Sequence, residues 1–232
     1  MQALIDLDLV CFRSAASAEN DDIGIAIYRA NELLDGILTK VKADSYRAFL
    51  TGDTNFRKEI LPSYKANRTA PRPSHLKGVR EYALDKMNAE LAPDGLEADD
   101  SLAIHQTDDT IICTLDKDLL QVPGRHFSWA ISGKNWKRPD TFLVQDELGG
   151  ARLFFEQCLK GDVSDNVKGI KGIGEKKAKL MLANLETEQD MFELVQDMYS
   201  DDDRFIRNAS CLWIRRTEDD IWKDRFNAYV QK

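Results

Sequence analysis

Short β-prone runs that alternate with helical segments place the tightest limit on how this chain can fold. The runs cover residues 3–9, 46–51 and 110–115, and each carries or closely precedes an aspartate. Between them, residues 23–41, 75–91 and 98–105 have a helical spacing of apolar side chains. Such alternation is typical of a parallel α/β sheet, whose ligand site lies at the carboxyl ends of the strands. Asp6, Asp53 and Asp116 are therefore expected to converge, although they are far apart in the sequence.

From about residue 143 the pattern becomes mostly helical, with helices predicted over residues 145–159, 175–185, 190–199 and 203–216. The acidic stretch 201–203 is expected to cap the last of these helices. We therefore predict an α/β core over residues 1–142 and a helical part over residues 143–232. Residues 54–74 form an irregular, basic segment with three of the six prolines, and its polarity and length favour a functional or disordered loop over a plain connector.

The composition is that of a globular protein, and it argues against membrane-spanning segments, disulfide frameworks and zinc sites. With 232 residues, 43% of them hydrophobic, the chain can bury one core, or one core and a small subdomain. No apolar run approaches the roughly 20 residues that span a bilayer, and the first residues do not read as a signal peptide, so a cytoplasmic location without membrane contact is expected. The four cysteines form no C-x-x-C pair and the three histidines no H-E-x-x-H pattern. We expect reduced, mostly buried cysteines, surface or packing roles for the histidines, and no zinc site.

Carboxylates in tight local patterns carry the strongest chemical signal. Nine acids stand in five places: Asp6, Asp53, Glu97 with Asp99 and Asp100, Asp116 with Asp118, and Asp162 with Asp165. Like charges that share a cleft need compensating cations, and all-oxygen ligands select hard ions such as Mg²⁺ or Mn²⁺. Two such ions suit phosphodiester hydrolysis, because they activate a water and stabilise the leaving oxygen. Taken singly, each acid has a plainer interpretation as a strand-end residue, a helix cap or a turn former.

A basic stretch at residues 57–72 stands out from the acidic background. The formal charge of −8 argues against phosphate binding, but net charge averages over faces and a local positive surface is compatible with it. The stretch begins with Arg57 and Lys58 and contains Tyr64, Lys65 and Arg68. A tyrosine ring can stack on a base while the cations bind phosphate oxygens. The alternative is a mobile, solvated loop whose charges aid solubility.

A glycine-rich turn with flanking lysines forms the second basic stretch. It contains Lys168, Gly169, Lys171, Gly172, Gly174, Lys176 and Lys177. Backbone amides of such a turn can face a phosphate at the electropositive start of the following helix. The pattern resembles a helix-hairpin-helix grip on the DNA backbone, and the lack of a predicted strand just before it disfavours a nucleotide-cofactor loop. A plain glycine-rich turn is the alternative.

Taken in order, these motifs resemble the 5′ nucleases, the flap endonucleases and 5′→3′ exonucleases, and are most similar to the small stand-alone exonucleases of bacteriophages. The motifs extend from residue 6 to about 182: D-x-x-x-x-x-F-R at 6–13, Asp53 followed by F-R-K-E-x-L-P-x-Y-K-A-N-R, E-A-D-D at 97–100, T-x-D-K-D at 114–118, G-D-x-x-D-N at 161–166 and G-I-x-G-I-G-x-K-x-A at 169–178. One departure is Leu7, where the family usually has glycine, and it bears on the local backbone approach rather than on Asp6.

The resemblance implies a PIN-like core and a helix-3-turn-helix motif at about residues 161–185. It implies one metal group from Asp6, Asp53, Glu97 and Asp99 or Asp100, and a second from Asp116, Asp118, Asp162 and Asp165. Lys65 and Arg68 would contact the scissile phosphate, and Tyr64 would stack near the cleaved nucleotide. The 169–174 loop would grip duplex DNA, often with K⁺ held by backbone carbonyls. The segment at about residues 54–93 would build a short arch or clamp.

The resemblance further implies metal-dependent hydrolysis of DNA that leaves 5′-phosphate and 3′-hydroxyl ends. The substrates would be duplexes with a 5′ end, a nick or a flap, together with RNA in RNA:DNA hybrids. A monomer, a separate DNA polymerase and, for a phage protein, the host cytoplasm are expected. Two alternatives stay open. A ribonuclease of a related PIN-like fold explains the acids but not the glycine-loop grip, and a non-catalytic DNA-binding protein would use the acids for structural ions or for none.

Overall fold

The computed structural model describes residues 1–133 and 135–231, and the chain divides into two compact units. The first unit comprises Met1–Thr54, Ala70–Leu119 and Gly124–Val144. The second comprises Asn55–Thr69, Leu120–Pro123 and Gln145–Lys232. The segment Asn55–Thr69 thus lies in the second unit, although it was predicted to belong to the first domain. Over the described ranges, no helix combines the length and the apolar character that crossing a membrane requires.

The secondary-structure elements alternate along the first half of the chain and become helical in the second. The strands are β1 Gln2–Asp6, β2 Ser45–Leu50, β3 Ala89–Leu91, β4 Thr110–Cys113, β5 Gly124–Ser128, β6 Ile131–Gly133, β7 Trp136–Arg138, β8 Thr141–Gln145, β9 Gly161–Asp162 and β10 Val167–Lys168. The helices are α1 Leu7–Ser17, α2 Ile23–Val41, α3 Phe56–Ile60, α4 Leu76–Lys86, α5 Ala98–Ile104, α6 Glu147–Lys160, α7 Glu175–Leu182, α8 Glu188–Met198, α9 Asp202–Leu212 and α10 Trp222–Val230, and a 3₁₀ helix spans Lys117–Gln121.

The first unit is built on a sheet with the strand order β3-β2-β1-β4-β5-β8. The pairs β1–β2, β1–β4, β2–β3 and β4–β5 are all parallel. The register sets Asp6 beside Phe49 of β2, and Ile5 beside Cys113 of β4. The ends of the three strands that precede the predicted acids therefore meet at one edge of the sheet. The predicted α/β fold with a mostly parallel sheet is confirmed.

Burial on both faces explains the sequence of the central strand. Ala3, Leu4 and Ile5 of β1 are each 0% exposed, so the strand is a continuous apolar run rather than an alternating one. Val10 of α1 and Ile37 of α2 belong to the same buried cluster as Ala3 and Ile5. At about 25 cal/mol per Å² of apolar surface, this burial is the main stabilising term of the first unit. It also keeps the polar strand ends in register.

Helix caps and left-handed residues end some strands and helices earlier than the spacing of apolar residues predicted. β1 stops at Asp6 because its Oδ1 accepts a hydrogen bond from the amide of Leu9 at 3.2 Å and so caps α1. The helix predicted over residues 75–91 stops at Lys86, because Asn88 adopts a left-handed φ of 48° before β3 begins. Strands β3 and β5 to β10, and helices α1, α3 and α10, were not predicted. The two-residue strand β10 lies directly before the glycine turn at residues 169–174, so the expectation that no strand precedes this turn is wrong.

Aromatic side chains fill the core of the second unit. The rings of Phe154 and Trp222 lie 4.5 Å apart, and those of Phe154 and Trp213 lie 4.9 Å apart. Such ring pairs contribute about 0.5–1.5 kcal/mol each beyond their buried area. Asp201 caps α9 through a hydrogen bond from the Arg204 amide at 3.2 Å, which confirms the predicted helix cap. All four cysteines of the chain are free and buried, as predicted.

Arg57 is a structural residue of this second unit. It is 2% exposed, and its Nε donates to the Cys211 carbonyl at 3.0 Å while Nη2 donates to the Trp213 carbonyl at 2.7 Å. These bonds tie α3 to the end of α9, which explains why residues 55–69 pack with the second unit. The predicted contact of Arg57 with DNA is therefore wrong, because its guanidinium is buried and donates to two backbone carbonyls. Lys58, the next residue, is exposed.

Replacing Arg57 by methionine should lower the free energy of unfolding by about 2–3 kcal/mol, since two buried carbonyls lose their donor. Urea unfolding at neutral pH measures the change. Lys58→Met is the matched control, and an exposed substitution of this kind should stay within about 0.5 kcal/mol of wild type. Equal stability of the two variants would contradict the structural role of Arg57.

Asp220 ties the segment before α10 to the end of α9. Its carboxylate accepts hydrogen bonds from Trp213 Nε1 at 2.9 Å, the Arg216 amide at 2.9 Å and Arg225 Nε at 2.5 Å. Burial alone would raise the pKa of Asp220, but the hydrogen bonds from Arg225 and Arg216 outweigh it and the pKa is lowered. The folded state therefore favours the charged carboxylate.

The Asp220→Asn variant should be less stable than wild type at pH 7, and the difference should shrink as the pH falls. A carboxyl whose pKa is lowered by folding stabilises fully above its unfolded pKa of about 4, and the contribution is lost as the pH falls through the folded pKa. Urea unfolding at stepwise lower pH measures this, with exposed Asp219→Asn as the control. A difference that stays constant from neutral to acidic pH would refute the assignment.

Candidate active site

A chain of hydrogen bonds joins the acids at the ends of β1 and β4. Asp6 Oδ2 accepts from Thr114 Oγ1 at 2.7 Å, and Thr114 Oγ1 accepts from the Asp116 amide at 3.0 Å. Asp116 Oδ1 then accepts from the Asp118 amide at 2.9 Å, at the start of the 3₁₀ helix. The structure thus brings Asp6, Asp116 and Asp118 together, because the parallel pair β1–β4 ends at one edge of the sheet.

Asp6 is buried among like charges. It is 3% exposed, and this burial is the largest of the influences that raise its pKa to about 7. Repulsion from Asp8 comes next and Asp116 adds to it, whereas the hydrogen bonds from Thr114 and the Leu9 amide oppose the rise. A carboxyl whose pKa is raised first by burial and then by neighbouring carboxylates is suited to a site where a bound cation offsets the negative charge.

The start of α5 carries the E-A-D-D acids in a capping box. Glu97 is the N-cap, and Asp100 Oδ2 accepts from the Glu97 amide at 3.0 Å. Asp100 is 0% exposed, so its carboxylate holds the helix start, whereas Asp99 is half-buried. Either Asp99 or Asp100 was expected to be a metal ligand, and of the two only Asp99 is accessible. Asp53, which follows β2, is exposed.

The donor set of the first unit fits a hard divalent cation. Its predicted ligands are all carboxylates: Asp6, Asp53, Glu97, Asp99, Asp100, Asp116 and Asp118. Oxygen donors of this kind select Mg²⁺ or Mn²⁺ over softer ions. Among residues 1–133 and 135–231, however, no three His, Cys, Asp or Glu side chains are arranged as a group that could hold a metal ion. The fit therefore rests on the chemistry of the oxygen donors and on the hydrogen bonds through Thr114 that hold Asp6 and Asp116 close together.

The remaining predicted acids lie in the second unit, at the turn between β9 and β10. Asp162 Oδ1 accepts from Ser164 Oγ at 2.6 Å and from the Asp165 amide at 3.1 Å. Asp162 is buried and Asp165 is half-buried. The predicted second metal group draws Asp116 and Asp118 from the first unit and these two acids from the second, and it stays a prediction.

Side chains of the basic segment contact Asp165 in the second unit. Its carboxylate accepts from Tyr64 Oη at 2.7 Å and from Arg68 Nη2 at 2.7 Å, and Lys65 Nζ lies 4.0 Å from Oδ2. The Lys65 amide donates to the Asp165 carbonyl at 3.0 Å, and Asn67 Nδ2 donates to the Val163 carbonyl at 2.6 Å. The structure thus brings together the three predicted catalytic side chains and one of the predicted metal ligands.

The predicted stacking of Tyr64 on a nucleotide does not fit this arrangement. Tyr64 is 3% exposed, and its ring packs in the apolar core of the second unit. Its hydroxyl instead orients Asp165. An aromatic residue beside two cations looks like a stacking platform in sequence, but burial of the ring removes the face that a base would need.

The glycine turn offers lysines and backbone to solvent at the start of α7. Lys168, Lys171, Lys176 and Lys177 are exposed. Gly172 has a φ of +82°, which favours glycine. Gly174 is the N-cap of α7, and in the described chain no side chain provides a capping hydrogen bond there. The first amides of α7 therefore depend on water or on a ligand for hydrogen bonding.

Gly169 has a packing role that the sequence did not reveal. A Cβ there would lie 2.2 Å from the Lys160 carbonyl carbon and 2.3 Å from the Gly161 nitrogen. Only glycine allows this approach of backbone to backbone. The predicted contribution of Gly169 to DNA binding is thus indirect, because it shapes the turn rather than leaving room for a phosphate.

Thr114 is a site residue for which no role was predicted. Its hydroxyl both donates to Asp6 and accepts from the Asp116 amide. A threonine two residues before a predicted ligand often bonds the ligand's backbone, so the T-x-D spacing contained the signal. Its second bond, to an acid 108 residues earlier in the chain, has no sequence signature.

Comparisons with known proteins identify the family of this chain. Residues 3–148 match the model of the 5′-3′ exonuclease, N-terminal resolvase-like domain. The 5′-3′ exonuclease of Bacillus subtilis (strain 168) is 32% identical over 190 residues, which cover 72% of this chain and 62% of that protein. DNA polymerase I of Streptococcus pneumoniae (strain R6) is 28% identical over 206 residues, which cover 81% of this chain and 23% of the polymerase. The chain spans less than two thirds of the length of either relative.

A solved structure of the bacteriophage T5 D15 flap endonuclease, a pseudo-enzyme-product complex with DNA and metal ions, has a similar fold. The TM-score is 0.67 at 15% identity, over 99% of this chain and 98% of that chain. The matched domain model covers the sheet, the strand-end acids and the capping box at the start of α5. Since that match extends over more than half of the 232 residues, the chain belongs to the 5′-3′ exonuclease family.

Proposed function

We propose that this chain is a metal-dependent 5′→3′ exonuclease and structure-specific 5′ flap endonuclease. It would hydrolyse DNA phosphodiesters and leave 5′-phosphate and 3′-hydroxyl ends. The observation that carries the proposal is the hydrogen-bonded set of Asp6, Thr114 and Asp116 at the strand ends, inside the span that matches the family model. The names of the Bacillus subtilis and T5 proteins support the same chemistry.

The carboxylates are proposed to hold two Mg²⁺ or Mn²⁺ ions. Asp6, Asp53, Glu97 and Asp99 would supply one group, and Asp116 and Asp118 would serve as ligands of the second ion. When bound, such ions lower the pKa of a water and stabilise the leaving oxygen. Thr114 holds Asp6 and the backbone of Asp116 in place through hydrogen bonds. Asp100 stabilises the start of α5 by accepting a hydrogen bond from the Glu97 amide.

Lys65 and Arg68 are proposed to neutralise charge on the scissile phosphate. Arg68 can present two parallel donors to phosphate oxygens, and Lys65 adds a compact positive charge. Both lie at Asp165, which keeps the cations oriented until a phosphate competes for them. Fixed cations of this kind contribute most where negative charge develops in the transition state.

The glycine turn and the start of α7 are proposed to bind the backbone of duplex DNA as a helix-3-turn-helix contact. Exposed Lys171, Lys176 and Lys177 would bind phosphates, and Lys58 of the basic segment would add a further contact. Turn carbonyls would hold a K⁺ ion. The arch predicted over residues 54–93 is narrowed to the segment between α3 and α4, because α4 packs in the core of the first unit and β3 is a strand of its sheet. A monomer, a cytoplasmic location, a separate polymerase partner and cleavage of RNA in RNA:DNA hybrids belong to the same proposal.

Lys171→Ala should weaken duplex binding for every sequence tested and reduce the slope of log affinity against log salt by about 0.9, the value for one lost phosphate contact. Titration of labelled duplex at several salt concentrations, with Ca²⁺ in place of Mg²⁺, measures both quantities. Lys223→Ala, an exposed lysine on α10, is the matched control and should keep the wild-type slope. An unchanged slope for Lys171→Ala would count against the grip.

The test of the function is cleavage of a 5′-flapped and a nicked duplex, each labelled at either end, with Mg²⁺ and with EDTA. Metal-dependent loss from the 5′ side is the expected result, and the fragment lengths separate single-nucleotide trimming from flap removal. Products with 3′-phosphate ends would overturn the proposed chemistry. Cleavage of RNA alone would favour a ribonuclease, and band shifts without cleavage would favour a DNA-binding protein.

A further inference from the structure

Asp8, Thr51, Arg80 and Ala98 form a hydrogen-bonded group in the first unit, here called the Thr51 bracket. The Thr51 amide donates to Asp8 Oδ2 at 2.9 Å, and the Thr51 carbonyl accepts from Arg80 Nη2 at 2.5 Å. Arg80 Nη1 pairs with Asp8 Oδ1. Thr51 Oγ1 accepts from the Ala98 amide at 2.9 Å. The amide, the carbonyl and the hydroxyl of Thr51 are thus all engaged.

The bracket joins the backbone segments that carry the predicted ligands of one metal group. Asp8 lies two residues after Asp6, and Thr51 lies two residues before Asp53. Ala98 is the first residue of α5 and stands between Glu97 and Asp99. One threonine therefore connects the start of α1, the end of β2 and the start of α5, while Arg80 of α4 closes the group.

We propose that Thr51 is a positioning residue for the metal-binding acids, and that Asp8 is the counter-charge of Arg80 rather than a metal ligand. This inference rests on the proposed function, because it assigns the bracket to the same metal site. The Thr51 hydroxyl satisfies a backbone amide in the first turn of α5, where an amide has no partner within the helix. Without it, the first residue of α5 loses its direct hydrogen bond to the end of β2, and the backbone that carries Glu97 and Asp99 is held less firmly beside the backbone that carries Asp53.

The experiment compares Thr51→Val with Thr51→Ser, since valine keeps the shape of threonine and serine keeps the hydroxyl. Calorimetric titration with Mn²⁺ in the absence of DNA measures metal binding directly. Groups that orient ligands typically change metal affinity by about 10–100-fold when they are removed. We expect Thr51→Val to bind Mn²⁺ at least about tenfold more weakly, and Thr51→Ser to stay within about twofold of wild type.

A folded Thr51→Val protein with wild-type Mn²⁺ affinity would overturn the inference. If Thr51→Val does not fold by circular dichroism, Arg80→Lys is the deciding variant. Lysine keeps the charge but lacks the planar fork whose two nitrogens reach Asp8 and the Thr51 carbonyl separately. A tenfold loss of Mn²⁺ affinity in Arg80→Lys supports the bracket, and an unchanged affinity refutes it. Wild type that binds Mn²⁺ but cleaves no nucleic acid contradicts only the proposed function, whereas wild type that does not bind Mn²⁺ contradicts both.

Discussion

Replacing Asp116 by asparagine should lower the single-turnover rate on a 5′-flapped duplex by about 10²–10³-fold, while duplex affinity stays within a few-fold. A metal ion supplies several kcal/mol of charge stabilisation in the transition state, and each 1.36 kcal/mol corresponds to about tenfold in rate. Asparagine keeps an oxygen that can accept from the Asp118 amide, so the variant removes charge with little change of shape. The loss should therefore appear in the rate rather than in binding.

Asp108→Asn is the matched control for this variant. Asp108 is exposed in the loop before β4, and the same change of charge there should leave the rate within about twofold, as for surface substitutions in general. The rates are measured by rapid quench with saturating Mg²⁺. A near-normal rate for Asp116→Asn would remove Asp116 from the proposed metal site.

Lys65→Ala should lower the same rate by about 10²-fold or more, because a fixed cation is lost where negative charge develops. Lys65 has a left-handed φ of 56°, and alanine meets the same backbone cost as lysine, so stability should change little. The kcat should fall while KM stays within a few-fold, since the group serves the transition state more than the ground state.

Lys42→Ala is a close control for this substitution. Lys42 is likewise a lysine with a left-handed φ, of 53°, and it is exposed at the C-cap of α2. Its replacement should leave both kcat and KM unchanged. If Lys65→Ala instead raises KM and leaves kcat intact, the role of Lys65 is substrate binding, and the proposed role in the chemical step is incorrect.

The sheet and its acidic edge were predictable because they depend on short-range patterns. Apolar runs of strand length, alternating with helical spacing, indicate a parallel sheet whatever the details of packing. The carboxyl ends of adjacent parallel strands meet at one edge, so the convergence of Asp6 and Asp116 followed from topology alone. The start of α5 directly after Glu97 likewise follows from local spacing, since a helix was predicted over residues 98–105.

The individual roles of the basic side chains were not predictable. Arg57 and Tyr64 stand among cations in an irregular, polar segment, and both are buried in the structure. Arg57 is held by carbonyls that lie 154 and 156 residues further along the chain. Periodicity reports which face of an element is apolar, but it carries no information about a partner at that separation.

By itself, the sequence determined the parallel α/β core and the mostly helical second half, and it predicted a set of carboxylates that would select a hard divalent cation. These features follow from the spacing of apolar residues and from the chemistry of oxygen donors, which are local properties. Only the tertiary structure decided that Asp6 is buried with a raised pKa, that Asp100 caps α5 while Asp99 stays accessible, and that Tyr64 orients Asp165. Burial and hydrogen-bond partners arise when distant segments pack together, because desolvation and pairing depend on the whole fold rather than on neighbours in the chain.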